Sequence, residues 1–150
     1  MHNQDQDKTQ AQRLSYILCH DIEEVRYFYK DLIGLGEISY RMGRHVIFQS
    51  GSTELVFCKS DPLTPLGEAN NEATPRVWRI EIAESLYLGV INRLKQSVIT
   101  TLHAKPQWMD AHWGVYLHDP AGNPIELYTI PREVPAIKVW EDHSILNELG

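Results

Sequence analysis

Apolar and polar residues alternate in short runs through both halves of the chain, and each half predicts the same order of elements. The first half predicts a strand, a helix and three strands, at residues 14–19, 21–34, 36–41, 44–49 and 53–59. The second half predicts a strand at 76–82, a helix capped by Glu84 or Ser85, and strands at 97–102, 115–117 and 125–130. This repeated order indicates two tandem βαβββ modules, which is an α+β fold class.

Local signals mark both ends of the first helix. Asp21 has the side chain of an N-cap, and Glu24 three residues later completes a pattern like a capping box. Gly34 follows the apolar stripe, and glycine commonly ends helices. The stripe consists of Ile22, Val25, either Phe28 or Tyr29, and Leu32. We therefore expect this helix to bury one face.

A second local signal is the turn between the last two predicted strands. Residues 119–123, Asp-Pro-Ala-Gly-Asn, have the composition of a tight turn between apolar runs. The strand after the turn alternates, so Ile125 and Leu127 face one side while Glu126 and Tyr128 face the other. A carboxylate in an apolar strand is unfavourable if it is buried without a partner. Glu126 is therefore solvated, paired, or placed in a pocket.

Three segments flank or separate the modules. Residues 1–12 are polar and aperiodic and predict a disordered tail, and residues 61–75 are rich in Pro, Gly and Asn and predict a linker. The domain then spans 13–130, with module one at 13–60 and module two at 76–130. Residues 131–150 form a C-terminal extension in which 141–149 is a short helix candidate.

Composition and charge limit the partners. The chain has 150 residues and a net charge of -6 without a basic cluster, which argues against nucleic acid or an anionic membrane as partner. No apolar run reaches the roughly 20 residues of a transmembrane helix, and no signal peptide is evident, so we expect a cytoplasmic protein. Cys19 and Cys58 are isolated, which predicts neither a disulfide framework nor a CxxC metal site.

Three stretches carry a family resemblance: 21–35, 53–55 and 116–128, the last being YLHDPAGNPIELY. Together they resemble the vicinal oxygen chelate superfamily, which includes glyoxalase I, bleomycin-resistance proteins, fosfomycin-resistance enzymes and extradiol dioxygenases. The resemblance implies that two βαβββ modules form a cupped mixed sheet open to solvent. It also implies a divalent metal in the cup, where the metal chelates two oxygens of the substrate and acts as a Lewis acid.

The metal ligands implied by the resemblance are only partly present. The positions on the last strand of each module match Glu54 and Glu126, which are both carboxylates. The first-strand positions, where the metal-dependent enzymes have His, fall on Leu14 and Val77, and neither side chain can bind a metal. We therefore expect no cofactor. The alternative is a relocated site for Fe, Mn, Ni or Zn that still uses Glu54 and Glu126.

One further feature resembles the extradiol dioxygenases. Tyr116 lies ten residues before Glu126, the spacing at which such a Tyr contacts the substrate in that branch. The same branch has an acid/base His upstream of the Tyr, and the matching position is about Gln107. His103 and His112 lie near in sequence, but the alignment assigns neither of them this role.

Other residues have both a structural and a binding interpretation. Tyr16 and Tyr128 share the strand parity of the ligand positions and predict a pocket lining together with Tyr116. Arg79 and Glu81 either form an ion pair or orient a polar ligand. Glu126 has an equally supported interpretation as a structural carboxylate bonded to Arg79. The two tryptophans either flank the mouth of the cup as aromatic walls or anchor a loop; they are Trp108 and Trp113.

The sequence predicts one main function and two alternatives. The main prediction is a metal-free protein whose cup binds a small organic molecule, apolar or aromatic, in a homodimer as is common in the superfamily. The alternative is a lyase, isomerase or ring-cleaving dioxygenase in which Glu126 is a ligand or general base, Glu54 a second one, and Tyr116 a hydrogen-bond donor to a developing oxyanion. The third is an interaction module whose cup is filled by its own side chains or by the C-terminal helix.

Overall fold

A computed structural model describes four parts of the chain: residues 13–61, 63, 77–99 and 105–132. The predicted N-terminal tail, nearly all of the predicted linker, and the helix candidate at 141–149 lie outside the described residues. The chain divides into two compact units, Met1–Arg76 and Val77–Gly150. Neither unit's described helices have the length and apolar character that crossing a bilayer requires.

Unit 1 is a four-stranded mixed sheet with one helical segment. Its elements are β1 (Arg13–Cys19), α1 (Ile22–Arg26), a π-helical segment (Tyr27–Ile33), β2 (Gly36–Arg41), β3 (His45–Ser50) and β4 (Thr53–Lys59). The strand order is β1-β4-β3-β2, with β1 parallel to β4 and the other pairs antiparallel. Every strand predicted for this module is present to within one residue at each end.

The helical segment of unit 1 begins and ends where the sequence predicts. The side chain of Asp21 accepts a hydrogen bond from the backbone N–H of Glu24 at 3.1 Å, as an N-cap does. Gly34 ends the segment in the left-handed conformation, with φ of 94°. Between these residues the hydrogen bonding changes from α to π after Arg26. Phe28 and Tyr29 are both fully buried in this wider part of the helix, so the core takes two successive aromatic side chains.

Unit 2 repeats the topology of unit 1. Its elements are β5 (Trp78–Glu81), α2 (Glu84–Gln96), β6 (Gln107–Met109), β7 (His112–His118) and β8 (Pro124–Thr129). The strand order is β5-β8-β7-β6, again with the first pair parallel and the rest antiparallel. The predicted α+β architecture of two tandem βαβββ modules is therefore confirmed.

Two local predictions for unit 2 are wrong. The N-cap of α2 is Ala83 and has no side-chain capping bond, so neither Glu84 nor Ser85 caps the helix. The described part of the predicted strand at 97–102 is a turn, and the second strand of the module is β6 instead. A tight turn joins β6 to β7, in which Asp110 has φ of 62° and the Ala111 N–H donates to the Met109 carbonyl. Asp tolerates this left-handed conformation better than most residues.

Candidate functional site

Strand register places Glu126 at the centre of the sheet in unit 2. On β8 it is the direct neighbour of Arg79 on β5 and of Tyr116 on β7. Only 4% of the Glu126 side chain is exposed. A carboxylate buried to this degree is unfavourable unless other groups compensate for the water that it has lost.

Two side chains compensate Glu126 for its lost hydration, and one of them contacts each carboxylate oxygen. Arg79 Nε donates to Oε1 at 2.6 Å, and His112 Nε2 lies 3.3 Å from Oε2. The bond to Glu126 raises the pKa of the Arg79 guanidinium above its ordinary value. The ion pair of Arg79 is thus with Glu126 rather than with Glu81, and Glu126 is the paired carboxylate that the sequence analysis offered as an alternative.

The missing side chain of Gly114 makes room for this arrangement. Gly114 lies on β7 opposite Tyr128, and a Cβ there would stand 2.6 Å from Glu126 Oε2 and 3.4 Å from His112 Cδ2. Real Cβ atoms do not approach other atoms as closely as the first of these distances. The glycine therefore allows the carboxylate and the imidazole to meet beside the strand.

The ring of Tyr128 contacts both side chains that pair with Glu126. The Arg79 guanidinium carbon lies 4.2 Å from the centre of this ring, and the His112 ring meets it edge-on at 5.4 Å. Both contacts are of kinds that stabilise proteins modestly. The three residues therefore support one another around the buried carboxylate.

An open pocket of about 370 Å³ lies over this cluster, which we call the Glu126 pocket. Its lining residues combine the polar cluster with apolar and aromatic side chains: Val77, Arg79, Met109, His112, Tyr116 and Glu126. Tyr116 is 57% exposed, and half of the Arg79 side-chain surface is also exposed. The pocket thus offers an exposed ring and an exposed cation above a buried carboxylate.

The other predicted site residues lie in different places. Trp108 is partly exposed and packs edge-on against the buried Trp113, with 5.3 Å between ring centres, and neither lines the Glu126 pocket. Glu81 lines a separate pocket of about 340 Å³ at the start of α2. Tyr16 and Glu54 belong to unit 1, where Tyr16 is exposed and Glu54 is half-buried.

His112 is a site residue that the sequence left without an assigned role. The predicted strand began at residue 115, whereas β7 begins at His112. Side chains two apart on a strand point to the same face, so His112 shares its face with Gly114 and Tyr116. Extending the alternation upstream from Tyr116 would have found it.

The residues present do not fit a resident divalent metal. Within the described ranges, no group of three or more His, Cys, Asp or Glu side chains is arranged to hold one. In the observed register Arg79, rather than Val77, lies opposite Glu126, and its guanidinium is bonded to one of the two carboxylate oxygens. Among the described lining residues of the pocket, His112 and Glu126 supply the one imidazole and the one carboxylate.

Solved structures share this fold. A glyoxalase/dioxygenase from Nostoc punctiforme is 23% identical, with 80% of this chain and 90% of that chain covered and a TM-score of 0.61. The oxidase ChaP-H2 is 19% identical, with 79% and 92% covered and a TM-score of 0.59. TnmS3, an antibiotic binding protein from Streptomyces sp. CB03234, is 18% identical, with 79% and 94% covered and a TM-score of 0.56.

No protein-family model and no curated protein sequence matches the chain. The likeness of this chain to known proteins therefore rests on the comparison of structures. The chain has the fold of the glyoxalase, bleomycin-resistance and dioxygenase proteins, as the sequence resemblance to the vicinal oxygen chelate superfamily implied.

Proposed function

We propose that the protein binds a small aromatic molecule in the Glu126 pocket, without a resident metal. The observation that carries the proposal is the exposure of Tyr116, which is 57% exposed and lines the pocket together with the buried Glu126 carboxylate. Exposed aromatic surface next to precisely placed polar groups is typical of ligand sites. The pocket of about 370 Å³ is also within the usual size range for small organic ligands.

Two further points support this function. The side chains of the pocket favour metal-free binding over the metal-dependent alternative, because Arg79 is already bonded to the carboxylate that a metal would need. One of the structural neighbours is named as an antibiotic binding protein, so this fold can serve binding. A homodimer in the cytoplasm remains the sequence prediction for assembly and location.

Ligand titrations followed by amide NMR test the proposal. The probes are catechol, 1,4-naphthoquinone, benzoate and benzamide, which vary the polar group on a small aromatic ring. We expect at least one probe to shift the amide signals of β7 and β8. The substitution Tyr116→Ala removes the exposed ring. It should raise the Kd of the probe that binds about tenfold, since aromatic side chains often dominate binding energy.

The control is Leu86→Ala, which removes an exposed apolar side chain of α2 that does not line the pocket. Its Kd should equal that of the wild type. If all four probes leave the spectrum unchanged, or if both variants weaken binding equally, the Glu126 pocket is not the binding site.

A further inference from the structure

The charged hydrogen-bond donors that the Glu126 pocket offers to a ligand are those of Arg79. Arg79 uses Nε for Glu126, and among the residues that the structure describes its Nη1 and Nη2 have no hydrogen-bond partner. A guanidinium carries five N–H donors, so four of them remain available. Glu126 itself has one neighbour on each oxygen and is buried, which leaves it little capacity to accept from a ligand.

The charge that the pocket exposes to a ligand is therefore positive, although the formal charges of Arg79 and Glu126 cancel. Half of the Arg79 side chain is exposed, compared with 4% for Glu126. A ligand that enters the pocket meets the guanidinium before it meets the carboxylate. An anionic group is favoured at this position and an ammonium group is disfavoured.

The guanidinium is also held in place before a ligand arrives. Its Nε is bonded to Glu126, and its carbon lies over the Tyr128 ring. A planar fork that is fixed in this way suits two parallel hydrogen bonds to a carboxylate, and it loses little freedom on binding.

The remaining lining residues suit a flat apolar body. Val77 and Tyr116 are exposed, and Met109 is half-buried in the same lining. A Met side chain adapts to irregular shapes and makes favourable contacts with aromatic rings. The volume of about 370 Å³ is near the lower end of ligand pockets, which favours one or two rings.

We propose that the ligand is a small aromatic acid, with its anionic oxygens on the free Nη groups of Arg79 and its ring against Tyr116, Val77 and Met109. This inference rests on the proposed binding function. It narrows that function to one ligand class, and it identifies Arg79 as the residue that selects for negative charge.

Benzoate and benzamide provide the direct test, because they have nearly the same shape and differ in charge. We expect benzoate to bind wild-type protein about tenfold more tightly than benzamide at pH 7.5, as a charge-assisted paired contact would produce. Benzylamine, which carries the opposite charge, should bind more weakly than either. Calorimetry or amide NMR measures all three.

The matched variant is the double substitution Arg79→Gln with Glu126→Gln. Removing Arg79 alone would leave Glu126 buried without its cation, and the protein could fail to fold for that reason. The double variant removes both charges, and glutamine keeps a polar amide at each position. We expect the preference for benzoate over benzamide to disappear in it, because neither probe then meets a cation in the pocket.

The outcomes separate this inference from the function on which it rests. Equal binding of benzoate and benzamide by the wild type, tighter binding of benzylamine, or a benzoate preference that survives in the double variant would overturn the aromatic-acid inference and leave small-molecule binding standing. Failure of every aromatic probe would overturn both.

Discussion

Gly114 determines how closely Glu126 and His112 approach each other. Its absent side chain leaves the space that Glu126 Oε2 occupies, 2.6 Å from where a Cβ would lie. A free glutamate on the surface would simply rotate away from such a Cβ. Glu126 is buried and bonded through its other oxygen to Arg79, so rotation would also disturb that bond.

We predict that Gly114→Ala lowers the free energy of unfolding by about 1–3 kcal/mol, the usual range for excess volume in a packed site. It should also weaken benzoate binding, because the displaced carboxylate moves Arg79. Urea denaturation and the benzoate titration measure the two effects. The control Gly89→Ala lies in α2, where a Cβ would meet Arg93 Nη1 at an ordinary 3.5 Å.

That control should stabilise the protein by roughly 0.5–1 kcal/mol, since alanine is the better helix former. The two substitutions add the same methyl group and are expected to act in opposite directions. A Gly114→Ala protein as stable as wild type, with unchanged benzoate affinity, would show that the carboxylate relaxes freely.

The sequence predicted the structural roles of some residues and not of others. Asp21 and Gly34 were predictable because caps are local and depend on a few neighbouring residues. The pair of Glu126 with Arg79 could only be offered as an alternative, because it depends on which strands are neighbours. Gly114 carried no signal, since its role depends on two side chains that reach it across the sheet.

At the scale of elements, the two modules have the same strand order but carry different residues beside the equivalent glutamates. Register places Leu14 opposite Glu54 on the parallel pair of unit 1, and Arg79 opposite Glu126 on the parallel pair of unit 2. The second module therefore has a fixed cation at the position where the first has an apolar residue. A neutral nitrogen donor at this position is what a metal site would need.

We predict that Arg79→His increases the affinity for Zn(II) or Ni(II) about tenfold over wild type, because it adds an imidazole beside His112 and Glu126. Calorimetric titration with each metal measures the change. Arg79→Gln is the matched control, since it removes the same charge without adding an imidazole. If both variants bind the metal equally, loss of the cation is the cause and the register argument fails.

Element boundaries explain most of the remaining differences between prediction and structure. The apolar stripe offered Phe28 or Tyr29 as alternatives for one helical position, and the structure buries both through the π-helical segment. That ambiguity in the stripe was the only sequence signal of a departure from α geometry. For β7, the predicted start at residue 115 cut off His112, which was the cause of the missed site residue.

At the scale of the whole chain, the repeat made the architecture predictable. Two successive segments with the same order of elements can bury their apolar faces in only a few ways, and short connections restrict these further. The ligand was not predictable in this way. It depends on which polar group of the pocket is exposed, and that follows from the burial of Glu126 and the exposure of Arg79.

The stability of the chain in alkali depends on a buried group next to the same site. Tyr87 on α2 is fully buried, and its hydroxyl donates to the Leu127 carbonyl at 2.7 Å. Burial, and secondarily the negative charge of Glu126, raise the pKa of Tyr87 far above its ordinary value of 10. Below pH 10 both the folded and the unfolded states keep the proton, so the stabilising contribution is complete.

Above pH 10 the unfolded chain loses this proton while the folded protein keeps it. The wild type should therefore lose about 1.4 kcal/mol of unfolding free energy per pH unit through Tyr87 alone. Tyr87→Phe should be about 1 kcal/mol less stable than wild type at pH 8, because it lacks the bond to Leu127. The deficit should shrink and then reverse as the pH rises to 11, since phenylalanine has no proton to lose.

Denaturant titrations at pH 8, 10 and 11 measure this crossover. Tyr27→Phe is the control, because Tyr27 is 46% exposed and its ring does not enter the core. Its curve should stay parallel to that of the wild type over the same range. A Tyr87→Phe curve that is also parallel would mean that the folded protein releases the Tyr87 proton as readily as the unfolded chain does, so that α2 does not isolate this hydroxyl from water.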